Sequence, residues 1–165
     1  MYESGLSLTH PRGARAIGAY REATAEDHFN LERFVAAQDA GGTYDRAVAE
    51  LAHGRKESHW MWFVFPQAAG LGTSAMARRF AISGLPEARA YLAHPVLGPR
   101  LVTCAGLVAA AEAATAEQVL GPVDALKLRS CATLFGRADP GQPAFRLVLE
   151  RFFGGVPDAA TDALL

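Results

Sequence analysis

Gly54-Arg55-Lys56-Glu57-Ser58-His59-Trp60-Met61-Trp62-Phe63-Val64-Phe65-Pro66-Gln67 holds both tryptophans of the chain, one of its five histidines and one of its two lysines. Six consecutive apolar residues, Trp60 to Phe65, lie between polar groups that can carry chemistry. The aromatic density suits a strand. Met61, the short flanks and the helical signals on either side suit a buried helix. We read a helix that breaks before Pro66, because a residue preceding proline is pushed out of the helical region.

Outward from this run the helical period continues in both directions. Leu31, Phe34 and Val35 share one face of a helix from about His28 to Asp39, with Asp27 as its cap and Gly41-Gly42 as its end. Thr43 caps the next helix, along which Tyr44, Val48 and Leu51 align before Gly54 stops it. Downstream, 68–74 is a loop and Ser74 caps a helix through Phe80. Pro86 opens a short helix ending near His94, and Pro95 stands at the first turn of a long one through about Ala114. Thr115 caps 116–120, a helix covers Asp124 to Phe135, and Phe145 to Phe153 form the last strong helix, stopped by Gly154-Gly155. A short terminal turn follows over 158–165. No useful β-alternation and no internal repeat occur. The fold class expected is all-α: a single compact domain of about eight helices over 27–165, in an orthogonal or irregular bundle, preceded by an extension over 1–26.

Composition narrows the function. The 165 residues are half hydrophobic and one-fifth charged, which describes a folded domain. The net charge of −1 gives no electrostatic footprint for nucleic acid or an anionic membrane. The longest apolar stretch, Leu101 to Ala111, is too short to span a bilayer, and 1–13 has no signal-peptide core. A cytoplasmic location is expected. Cys104 and Cys131 have neither redox nor metal spacing and read as small buried hydrophobes. The histidines show no H-E-x-x-H pattern and no close carboxylate triad, which argues against metal catalysis; no cofactor is expected.

The chemistry-bearing residues begin with His59 and Trp62, which share a helix face at a spacing of three; Ser58 and Trp62 share one at four. An imidazole that titrates near neutrality beside an indole that stacks suits a planar or sugar-like ligand. Lysine usage adds to this. The chain uses 14 arginines and only two lysines, Lys56 and Lys127, both in dense motif blocks. A compact ammonium group retained among so many guanidinium groups points to a specific task. Lys127, Ser130 and Thr133 then form a polar stripe along one helix side. The catalytic candidates are therefore His59 and Lys127. The ligand-binding candidates are Gln38, Lys56, Ser58, Trp60, Trp62, Gln67, Ser74, Ser130 and Thr133. Ser74 enters because 70–74, a glycine loop running into a helix, can present backbone N–H groups to an anion.

Leu31-Glu32-Arg33-Phe34, Ala37-Gln38, Tyr44, the run 54–67, Gly70-Leu71-Gly72 and Ser74 resemble the bacterial family catalogued as domain of unknown function 1810. The resemblance continues through Glu87–Leu92, His94-Pro95-Val96-Leu97-Gly98, Lys127–Ser130, Thr133-Leu134-Phe135 and Asp162–Leu165. It covers about Asp27 to the C-terminus and implies an all-helical domain, with no established activity. Some members carry the label calpastatin-like, which fits poorly, since such inhibitors are disordered chains. Phe34–Gln38 and the His94-Pro95 unit are also similar to helical domains of ADP-ribose and NAD metabolism, which implies a ribosyl substrate. Two readings follow. One is a protein that binds or hydrolyses a small anionic, nucleotide-like or ribosyl ligand, with His59 as acid/base, a tryptophan as stacking wall and the lysines on the anion. The other is a non-catalytic helical module that docks a protein partner. Whether the chain is an enzyme stays open at this point.

Overall fold

The computed structural model describes residues 27–165. The extension expected over 1–26 lies outside the described residues. Asp27–Asn30 form a turn in which the Asn30 N–H donates to the Asp27 carbonyl at 3.0 Å.

From Leu31 to Leu165 the chain forms one compact unit. Its helices are α1 (Glu32–Asp39), a 3₁₀ turn (Ala40–Gly42), α2 (Thr43–Ala52), α3 (Met61–Val64), α4 (Ala75–Arg79), α5 (Leu85–Ala93), α6 (Leu97–Ala109), α7 (Ala116–Leu120), α8 (Pro122–Ala138), α9 (Pro143–Phe153) and α10 (Ala159–Asp162). The all-α expectation holds among the described residues, where extended pairing is limited to one isolated bridge between Ala68 and Ile82.

Local chemistry explains several helix ends. Ser74 and Thr115 cap α4 and α7, and Thr115 forms a reciprocal capping box with Gln118. Gly54 and Gly154 lie at φ 74° and φ 60°, left-handed values that let the chain leave α2 and α9. Two expected caps differ. α1 begins at Glu32 without a side-chain cap, so Asp27 does not serve it. Thr43 is the first residue of α2 and donates its hydroxyl to the Ala40 carbonyl at 2.6 Å. α6 stops at Ala109 instead of near Ala114, and Arg151 reaches across from α9 to donate to the Ala113 carbonyl at 2.8 Å. The run 60–65 resolves as a single four-residue helical turn, and Phe65 already has ψ 71° before Pro66.

α8 is the central element. Ala125, Leu128, Cys131, Ala132, Leu134 and Phe135 are buried along it, against α5, α7, α9 and α10. A chain of touching rings carries the core from α3 to α9: Phe63, Phe80, Phe34, Tyr91, Phe135 and Phe145, with successive centroids 5.1–5.7 Å apart. Each such contact adds roughly 0.5–1.5 kcal/mol beyond the area it buries. α5 and α6 meet at a 93° bend. There the His94 ring nitrogen accepts from the N–H groups of Val96 and Leu97 at 3.1 and 3.2 Å. Gly98 makes the corner possible, because a Cβ on it would lie 2.1 Å from the Leu92 carbonyl oxygen. Among the described residues no single helix is long and apolar enough to cross a membrane.

Candidate functional site

The run 54–67 is organised from behind by Glu50 on α2. Its carboxylate accepts from the backbone N–H groups of Glu57 (2.9 Å) and Ser58 (3.1 Å), from the Ser58 hydroxyl, and from the Trp60 indole Nε1 (2.8 Å). Burial alone would raise this carboxyl. The Ser58 hydroxyl, the two backbone N–H groups and the indole overcome that and hold it at about 2. Trp60 is sealed in the core with no exposed surface. Lys56 is pinned by its own backbone, whose N–H donates to the Val119 carbonyl at 2.7 Å.

In front of this scaffold the two lysines meet at one carboxylate. Lys56 Nζ lies 3.0 Å from Asp124 Oδ2, and Lys127 Nζ lies 3.0 Å from Asp124 Oδ1. Each ammonium group also lies against a tryptophan, Lys56 at 5.2 Å from the Trp60 ring and Lys127 at 5.0 Å from the Trp62 ring. Asp124 stands in the first turn of the 17-residue α8, where the helix dipole favours a negative charge. All three side chains are largely shielded, at 10%, 17% and 21% exposure for Lys56, Asp124 and Lys127. Two cations share one anion, so the cluster carries one formal positive charge in excess. Lys127 donates one of its three N–H groups to Asp124, while Lys56 meets the same carboxylate as an ion pair. Trp62 is half-buried and His59 is exposed, both in the same segment.

Residues 28–165 match the family described as protein of unknown function, DUF1810. The chain belongs to the DUF1810 family. The crystal structure of the conserved hypothetical protein Rv1873 from Mycobacterium tuberculosis is similar to this DUF1810 chain at 50% identity, with a TM-score of 0.81, over 84% of this chain and 98% of that one. No functionally curated protein matches. The calpastatin-like label finds no support in these matches, and the DUF1810 fold here is a packed helical core.

The remaining sequence candidates of the DUF1810 chain are dispersed. Gln38 is buried beneath α3, donating to the Phe63 carbonyl (2.8 Å) and the Tyr91 hydroxyl (3.2 Å) and accepting from Arg100 (3.2 Å). Ser130 and Thr133 bind the C-terminal segment: the Ser130 hydroxyl is 3.3 Å from Asp158 Oδ2, and Thr133 accepts the Asp158 N–H at 2.8 Å. Ser74 spends its oxygen on the cap of α4, accepting from the Ala77 N–H. Gln67 is half-buried, and its backbone carbonyl accepts from the Ile82 N–H. Ser58 is held by Glu50. Lys56, Lys127 and Trp62 are thus the candidates that assemble, with His59 alongside in sequence. Burial pushes the Cys104 thiol up to about 12 and raises that of Cys131, which suits packing and removes thiolate character.

Glu50 and Asp124 were not among the sequence candidates. Asp124 carried a usable signal, a carboxylate three residues before Lys127 on one helix. Glu50 carried a fainter one, an acid three residues after Ala47 and beside Leu51 on the apolar side of α2. Among the described residues no group of three or more His, Cys, Asp or Glu gathers to hold a metal ion.

Proposed function

We propose that the Lys56–Asp124–Lys127 cluster and Trp62 bind a small anionic, nucleotide-like or ribosyl ligand. The phosphate is received by the outward N–H donors of the two lysines and the planar base lies on the exposed part of Trp62. The observation that carries this reading is the convergence of the chain's two lysines on one carboxylate, each against an indole, with one positive charge left over. A charge excess in a shielded site acts more strongly on an anion than the same charge in water. His59 is the acid/base of the reading, since it is exposed in the same segment and an imidazole can both give and take a proton.

Thermal unfolding in the presence of AMP, ADP-ribose, NAD or inorganic phosphate tests the proposal. A ligand at 100 times its dissociation constant adds about 2.7 kcal/mol, which for a domain of this size raises the melting temperature by roughly 5–10 °C. The rise is lost in Lys127→Met, while His59→Ala keeps binding and loses any turnover. Well-folded protein that responds to none of the four ligands overturns the reading.

Val123 and Leu126 favour a second reading, a helical module that docks a protein partner. Each is 65% exposed, and they flank Asp124 and Lys127 on the first turns of α8. In that case Val123→Asp with Leu126→Asp abolishes partner recovery and leaves the ligand response flat from the start.

A further inference from the structure

Towards the C-terminal end of α8, where it packs against α9, lies a cleft of about 320 Å³. That is near the lower end of the ~300–1,000 Å³ typical of small-molecule sites. Its lining combines an apolar floor, Ala132, Gly136 and Leu149, with charged walls that include Arg137, Arg146 and Glu150.

Gly136 is in the interior of a 17-residue helix, where glycine is a poorer helix former than alanine. Packing does not require it. A Cβ there would meet the Phe145 Cβ at 3.7 Å, an ordinary contact. At this position the chain lines the cleft with no side chain of its own.

The two arginines differ in commitment. Arg137 is locked to Asp162 through two parallel bonds of 2.9 Å. Arg146 spends one nitrogen on Glu150, at 2.8 Å, one helical turn away. That pair is open to water, with side chains 64% and 49% exposed, so it is easily exchanged. A ligand bearing only a negative charge would take Arg146 and strand Glu150. A zwitterion replaces both halves of the pair at once, with no change in net charge.

We propose that the cleft between α8 and α9 binds a free apolar α-amino acid. Arg146 receives its carboxylate, Glu150 receives its ammonium group, and its side chain lies on the floor at Gly136 and Leu149. This site is independent of the lysine cluster.

Titration of ¹⁵N-labelled full-length protein with L-phenylalanine, followed by amide NMR, tests it. Saturable shifts are expected at Ala132, Gly136 and Leu149. N-acetyl-L-phenylalanine, which lacks the ammonium group, and L-phenylalanine amide, which lacks the carboxylate, should bind at least tenfold more weakly. Arg146→Met should lose at least tenfold, Gly136→Ala should weaken binding while keeping the fold, and Lys127→Met should bind as the parent does. No saturable shift at 20 mM, equal binding of the three compounds, or unchanged binding by a folded Arg146→Met protein each overturns the proposal.

Discussion

Replacing Glu50 by glutamine isolates what a charged carboxylate contributes to the run 54–67. The side chain is 9% exposed, and its hydrogen bonds bring it from an ordinary value of 4.5 to about 2. At ~1.4 kcal/mol for each tenfold change in proton affinity, that lowering is worth about 3–4 kcal/mol. Three of the four donors converge on Oε2 and the Ser58 hydroxyl alone meets Oε1. Glutamine can therefore keep its carbonyl oxygen where three donors point and turn its NH₂ to a hydroxyl that is able to accept. Glu50→Gln loses the charge assistance and keeps the bonding pattern, so the cost at pH 7 is about 2–3 kcal/mol. For this size of domain that lowers the melting temperature by roughly 5–10 °C. The sign with pH follows from the lowered value. The stabilisation is fully present above the unfolded value of 4.5 and is lost as pH falls towards about 2. More than half of it is gone by about pH 3. Urea unfolding of both proteins at pH 7 and pH 3 reads the difference, and subtraction removes every other carboxylate. A gap below about 0.5 kcal/mol at pH 7, or a gap of equal size at both pH values, would mean that the Glu50 charge does not stabilise the run.

Other substitutions separate packing from site chemistry. Gly98→Ala drives a Cβ to 2.1 Å from the Leu92 carbonyl oxygen and should cost about 3 kcal/mol or more in urea unfolding. His94→Ala removes the acceptor for the first N–H groups of α6 and should cost about 1 kcal/mol. Asp124→Asn leaves two shielded ammonium groups without their counter-charge, so it should cost about 1–2 kcal/mol in stability yet tighten phosphate binding severalfold by calorimetry. Acrylamide should quench Trp62 fluorescence in Trp60→Phe and leave Trp60 nearly untouched in Trp62→Phe, because Trp60 has no exposed surface.

The parts of this fold that were legible in sequence are those whose cause is local. Ser74, Thr115, Gly54 and Gly154 mark helix ends because a cap or a left-handed turn is decided within about three residues. The all-α class followed from periodicity, and the break before Pro66 from the restriction proline places on its predecessor. The family resemblance was legible too, and it agrees with the match over 28–165. The candidate site was legible through rarity: two lysines and two tryptophans stood out, and they gather at one place. Their meeting point did not stand out, because Lys56 and Asp124 come together only when the segment after α2 packs on α7 and α8. Gln38, Ser130 and Thr133 looked like binding groups for the same reason that they bind the chain itself. A buried polar side chain must find partners, and the sequence does not distinguish a partner in the core from one in a ligand.

We propose Lys56, Lys127 and Trp62 as the ligand site, with Glu50 and Trp60 as its scaffold. Two indole N–H signals report on it in one experiment, an NMR titration of ¹⁵N-labelled protein with ADP-ribose. The Trp62 indole should shift saturably, while the Trp60 indole, fixed on Glu50 at 2.8 Å, stays in place. A stationary Trp62 signal at 10 mM ADP-ribose, or a saturable response that survives in Lys127→Met, would rule this site out.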